Sequence, residues 1–238
     1  MSNLLSNAAY SPYTLKGMNG PEFILPIWYD LVATFAFAIT GAIIGLQKKY
    51  DIVGVVALAI AVGVGGGTIR DGIFLQTPPA IATDWRYMAA ILTAVVAAIG
   101  LFHVLHNKAL RLTVDMLDAL GLAAYTIVGT QKATLAGFVV FGAVLVGVIN
   151  AVGGGVLRDI LSGVEPRIYR PSQWYAIISV GGSLLFLAIA GLAGLDMQVS
   201  AIIAIATMVI IRAIVIVFDI KTRPAESVRN IVRGKKQP

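Results

Sequence analysis

Cysteine is absent from all 238 residues, so neither a disulfide nor a thiolate metal site is available. Charge is scarce: Asp, Glu, Lys and Arg make up 13% of the chain, against roughly 25% in an ordinary soluble domain. A soluble fold of this length needs more polar surface than that, whereas a bilayer accepts an apolar exterior. The sequence has no GxxxxGK[ST] phosphate loop and no HExxH pair. Gly63–Gly67 is glycine-rich, but no strand-helix-strand context surrounds it, so it is not a dinucleotide fingerprint. The two histidines, His103 and His106, have no further ligands at metal-binding spacing and read as interfacial. Residues 1–22 carry one Lys, one Glu, Pro12 and Pro21, with no basic cluster before an apolar core, so no cleavable signal peptide is expected.

What is present is hydrophobic. Hydrophobic residues make up 58% of the chain, and the mean hydropathy is +0.86. A span needs about 20 mainly apolar residues, and seven are read, at roughly 26–46, 52–74, 87–106, 114–131, 135–161, 174–194 and 198–218. The fold class expected is therefore an all-α integral membrane protein, since an open sheet would leave amides unpaired in lipid. Trp28, Trp85 and Trp174 fall near span ends as interface anchors.

The net charge of +6 comes from basic residues placed at the ends of apolar runs, which reads as topology and not as nucleic-acid binding. Residues 219–238 form a basic tail with Lys221, Arg223, Arg229, Arg233, Lys235 and Lys236, expected in the cytoplasm. Seven spans then put residues 1–25 outside. Lys48, Lys49, Lys108, Arg111, Arg167 and Arg170 fall in the loops expected inside. Contact of the tail with anionic membrane lipid is a second reading of the same charges.

The sequence matches itself at an offset of 88 residues. Asp30 falls on Asp118, Gly41 on Gly129 and Gly54 on Gly142, without a gap as far as Tyr87 on Tyr175. GGGTIRD at 65–71 falls on GGGVLRD at 153–159. Each unit, about 26–106 and 114–194, holds three spans, and the helix at 198–218 stands outside. Three is odd, so the second unit enters the membrane from the opposite side. Inverted repeats with interrupted helices point to a permeation or binding site.

Gly65, Gly66 and Gly67, and their partners Gly153, Gly154 and Gly155, lie deep in spans two and five. Three glycines weaken a helix by roughly 0.8–1 kcal/mol each and permit a bend or a close backbone approach. The readings are a functional kink facing the interior, which is expected, or helix packing through small residues. Asp30 with Arg70 and Asp71, and Asp118 with Arg158 and Asp159, form one expected charge cluster at each mouth of a central pathway. A structural ion pair locking the helix is the other reading. Lys132, about 21 Å along a helix from Asp118, either points into a pore or snorkels to the interface. Asn150 offers an amide beside the second triplet, for a pore or for packing.

GGGTIRDGIFLQTPP at 65–79, GGGVLRDILSGVEP at 153–166, DALGLAAYTIVGTQKA at 118–133 and DLVATFAFAITGAIIG at 30–45 resemble prokaryotic members of the trimeric intracellular cation (TRIC) channel family. The likeness covers about residues 25–218. It implies a homotrimer of seven-helix subunits, each with its own pore lined by helices kinked at the triplets. The implied activity is passive permeation of monovalent cations, mainly potassium, with no cofactor beyond permeant potassium or sodium. Lys132 is similar in position to a pore-facing basic residue of the animal relatives. Ala133 stands where those relatives carry an acid, which removes the basis for transferring their lipid or voltage regulation. An inner bacterial membrane is the expected location.

The same sequence group has also been described as a glycine transporter. Inverted repeats and broken helices suit a secondary transporter equally well on physical grounds. A non-conducting structural protein or a membrane enzyme ranks last, the enzyme because the sequence offers no recognisable nucleophile and base.

Overall fold

The computed structural model describes residues 24–169 and 174–220, and their regular structure is entirely helical. The N-terminal 23 residues, Arg170 and the basic tail after Ile220 lie outside the described residues, so the tail's placement is not part of this description. The helices are α1 (Trp28–Gln47), α2 (Ile52–Ile69), α3 (Ala80–Thr83), α4 (Trp85–Val104), α5 (Asn107–Leu135), α6 (Val140–Leu161), α7 (Tyr175–Gly191) and α8 (Met197–Val217). Helix α2 runs on into a π-helical segment, Arg70–Leu75.

Side chains and glycines set the helix ends. Asp51 caps α2 by accepting the Gly54 amide at 2.7 Å. Asp196 caps α8 through the amides of Gln198 and Val199. Asp84 caps α4, and a hydrogen bond from Arg86 holds its carboxyl below the ordinary carboxylate range. Gln76 turns the chain left-handed at φ 52°, and Gly137 and Gly194 do so after α5 and α7.

Among the described residues, six helices are long and apolar enough to cross a bilayer: α1, α2 with its π extension, α4, α5, α6 and α8. Helix α7, expected as a full span over 174–194, has 17 residues. It stops at Gly191, shortly before the left-handed Gly194. Helix α5 is longer than expected, at 29 residues. Lys108 and Arg111, expected in a loop, lie in its first turns because nothing between Asn107 and Val114 breaks a helix. Large apolar side chains such as Trp85, Phe141 and Leu192 are more than three-quarters exposed, as lipid-facing residues are.

Two apolar clusters flank a central one. One packs α1, α2 and α4 through Ile39, Ile43, Val55, Ile91 and Ala94. Another packs α5, α7 and α8 through Ile127, Phe186, Leu187, Ala204 and Met208. Between them, Phe37, Val62, Leu122, Tyr125 and Val152 join α1, α2, α5 and α6. Phe37 and Tyr125, 88 residues apart in sequence, stack with ring centres 5.6 Å apart. Hydroxyl pairs tie α5 to α7, Thr126 to Ser179 at 2.6 Å and Thr130 to Ser183 at 2.8 Å.

Candidate functional site

The glycine triplets are where α2 and α6 meet backbone to backbone. A Cβ on Gly66 would strike the carbonyl oxygen of Asn150, and one on Gly154 would lie 2.5 Å from that of Val62. The contacts are reciprocal, because Val62 and Asn150 are themselves 88 residues apart. Likewise Gly65 faces Leu157 and Gly153 faces Ile69. The helical hydrogen bonding expected to break at the triplets is continuous through both. The irregularity of α2 begins three residues later, at Arg70. In this conformation the triplets serve close packing, for which a residue without a Cβ is required.

Three residues after each triplet comes a buried arginine. Arg70 holds Asp71 with two hydrogen bonds, at 2.7 and 3.1 Å. It reaches Asp30 on α1 at 3.4 Å and the amide oxygen of Asn150 at 3.4 Å. Asp71 also accepts the Ala80 amide, fastening the chain that follows the π segment. Asp30 is shared further: Lys132 donates to it from α5 at 2.9 Å, and Tyr87 donates to it from α4 at 2.9 Å. Lys132 is thus an ion-pair partner of Asp30, with its side chain one-third exposed. The structure brings Asp30, Arg70, Asp71, Lys132 and Asn150 into one network.

The second arginine repeats the plan with different neighbours. Arg158 reaches Asp118 on α5 at 2.6 Å, Asp159 at 3.1 Å and the Thr40 hydroxyl at 3.2 Å. Asp159 accepts the Arg167 amide as Asp71 accepts that of Ala80. Arg212, from α8, stands 3.8 Å from the other oxygen of Asp118 and 5.1 Å from the centre of the Tyr175 ring. Arg70, Arg158 and Arg212 are each 1% exposed and Asp118 is fully buried. Such charges are tolerated in a membrane protein only when paired. The Asp30 cluster sets two acids against two bases; the Asp118 cluster does the same and adds the Arg167–Asp115 ion pair at 2.8 Å, so each is close to neutral.

The two clusters lie at different levels along α1 and α5. Asp30 at the start of α1 meets Lys132 near the end of α5, while Thr40 farther along α1 shares Arg158 with Asp118, which comes earlier on α5. The two helices therefore run antiparallel. On α5, Asp118, Tyr125 and Lys132 are seven residues apart and share one stripe. Tyr125 sits midway, with its hydroxyl between the Gly63 carbonyl and the Thr34 hydroxyl. Asn150 donates to the Tyr125 carbonyl at 2.6 Å.

A small cavity adjoins each cluster, about 10 Å³ in each case, room for about one water. Val64, Gly67, Thr68, Arg70, Asp71 and Tyr87 line the first. Their partners 88 residues on, Val152, Gly155, Val156, Arg158, Asp159 and Tyr175, line the second.

Comparison with known proteins gives the same duplication. A family model described as glycine transporter matches the chain twice, over residues 27–103 and 115–191, the second match 88 residues after the first. A solved TRIC trimeric intracellular cation channel orthologue from Rhodobacter sphaeroides superposes with a TM-score of 0.75 at 30% identity, over 82% of this chain and 98% of that one. The chain belongs to the TRIC channel family. A prokaryotic TRIC channel in 0.5 M KCl shares the fold, with a TM-score of 0.74 at 24% identity over 81% of this chain and 95% of that one. The UPF0126 inner membrane protein YadS of Escherichia coli is 35% identical over 162 residues, 67% of this TRIC chain and 76% of its own length. A UPF0126 membrane protein of Deinococcus radiodurans is 34% identical over 157 residues, 66% of this chain and 72% of its own. The solved TRIC relatives are described as channels and not as enzymes.

The sequence reading passed over Tyr87, Tyr125, Tyr175, Thr40 and Arg212. Arg212 had a signal available, since it is a lone ionisable residue deep in an apolar run. Tyr87 and Tyr175 ended the gap-free self-match, but only the fold places them beside Asp30 and Asp118.

Proposed function

We propose that this TRIC chain is a passive monovalent cation channel, permeable to potassium, with one pore in each subunit of a homotrimer. The observation that carries the reading is the pair of matched charge clusters, each with its small cavity, at the two ends of the α2–α6 crossing. They are joined through the subunit by the Asp118–Tyr125–Lys132 stripe. The relatives described as trimeric cation channels support it.

In this proposal the chain crosses the inner membrane seven times, as two inverted three-helix repeats over about 26–106 and 114–194 and a last helix at 198–218. The doubled family match and the antiparallel run of α1 and α5 favour that arrangement. The N-terminus is outside and the tail cytoplasmic, which puts the Asp30 cluster at the outer mouth and the Asp118 cluster at the inner one. Cavities of about 10 Å³ do not hold a hydrated ion, and α2 and α6 touch backbone to backbone between them, so in this proposal the conformation is the closed one. Opening separates α2 from α6 at the triplets, where bending is cheapest. The carbonyls released there replace part of the ion's water shell. The charge clusters make each mouth polar without holding a fixed excess of either sign, and no cofactor takes part.

A secondary transporter of a small amino acid such as glycine is the second reading, favoured by the family description. The two are separated in vesicles loaded with potassium. A channel releases potassium down its gradient without any organic solute, at a rate that does not saturate with glycine. Saturable glycine uptake coupled to sodium or protons, with no potassium release, contradicts the proposal.

A further inference from the structure

The two clusters are built on one plan, and their difference is informative. At the Asp30 end, the second cation is Lys132, which comes from the opposite repeat. The residue 88 positions before Lys132 is Ile44, which is apolar. The Arg167–Asp115 ion pair at this end also lacks a counterpart, the matching positions being Pro79 and Ile27, but its two charges cancel, so symmetry leaves the Asp118 end one cation short. Arg212, on the helix outside the repeat, stands in that place, 3.8 Å from Asp118 and over the Tyr175 ring.

The tyrosines differ accordingly. Tyr87 donates its hydrogen bond to Asp30. Its counterpart Tyr175 makes no hydrogen bond through its hydroxyl among the described residues, and neither does the Asp118 oxygen that faces Arg212. Burial differs too. Lys132 is one-third exposed, whereas Arg212 and Asp118 are 1% and 0% exposed.

We propose that Arg212 is the latch of the Asp118 mouth: a positioning residue that holds α8 against the repeat core and keeps that mouth closed by balancing Asp118. This rests on the reading of the two clusters as pore mouths. Without Arg212, three acids, Asp115, Asp118 and Asp159, face two arginines, Arg158 and Arg167, the second of them held by Asp115 at 2.8 Å. The resulting excess negative charge in a low-dielectric site draws in water and cations. The mouth then hydrates while the Asp30 mouth, held by Lys132, is unaffected. The seventh helix thus gives a nearly symmetric molecule two unequal ends.

The natural absence of cysteine provides the assay. Thr68→Cys and Val156→Cys place single thiols at matched positions of the two cavities, in the full chain reconstituted in vesicles. A charged, water-soluble thiol reagent is supplied to both sides. Arg212→Gln should speed modification at position 156 at least about tenfold and leave position 68 within about twofold. Arg212→Lys should stay near the parent rate, and Asp118→Asn with Arg212→Gln should return position 156 toward it.

Unchanged reactivity at 156 in Arg212→Gln, or an equal rise at both positions, overturns the latch. If Arg212→Gln does not fold, the other two variants decide, because fast modification at 156 in either one contradicts charge balance as the cause. Potassium flux through vesicles in which neither thiol is ever reached would remove the pore reading itself, a separate result.

Discussion

Asp30 shows how one residue's role depends on what surrounds it. It accepts from Arg70, Lys132 and Tyr87 together, so exchanging Asp30 and Arg70 would place an arginine beside Lys132. The exchange is therefore expected to fail, although the Arg70–Asp30 pair by itself is symmetric. Asp30→Asn alone should cost about 3–5 kcal/mol, because it leaves buried cations short of a partner. Adding Lys132→Gln should recover part of that loss. Thermal unfolding in detergent measures both, and additive losses would mean that the two residues do not interact. The glycines give a second test at this scale. Gly66→Ala or Gly154→Ala should cost about 3 kcal/mol or more, since the added methyl meets a backbone carbonyl that cannot move aside. Gly100→Ala and Gly181→Ala meet nothing within 4 Å and should be neutral, or stabilising by up to about 1 kcal/mol. The positions of these residues were legible because a tandem match needs only sequence. What each one touches was not. Lys132 was read against its own helix, and its partner lies 102 residues away.

At the scale of elements, hydropathy located every long helix to within a few residues, except where a charged amphipathic turn extends one. The first three turns of α5 carry Lys108, Arg111 and Asp115, so an apolar-window reading starts the helix too late. The triplets illustrate the opposite difficulty. Glycine propensity argues for a break, but packing against a second glycine helix outweighs it, and α2 and α6 remain helical at their crossing. The departure from α-geometry comes instead at the π segment, where Arg70 and Asp71 fasten to α1 and to Ala80. Helix α5 binds the halves together, with Tyr125 midway between Asp118 and Lys132. Tyr125→Phe removes a hydroxyl shared between the Gly63 carbonyl and Thr34. It should cost about 1–3 kcal/mol, the penalty for leaving a buried polar group unpaired, read as a lower unfolding temperature with unchanged helix content by circular dichroism. A loss of helical signal would instead mean that Tyr125 nucleates the fold.

For the whole molecule, the duplication is the feature the sequence displays most openly, and the family model meets it at the same 88-residue spacing. The charge asymmetry of the loops orients the protein only by the positive-inside rule. A reporter fused after residue 238 should therefore be active only when it is one that works in the cytoplasm; activity of an exported reporter there would reverse the two mouths. The central claim is that each subunit passes cations passively, and unitary current tests it most directly. Purified protein in a planar bilayer, under a potassium gradient with no organic solute, should give discrete openings that reverse near the potassium equilibrium potential. A silent bilayer, from the same preparation that takes up glycine saturably against a gradient, would contradict the channel and turn the two mouths into the gates of a carrier.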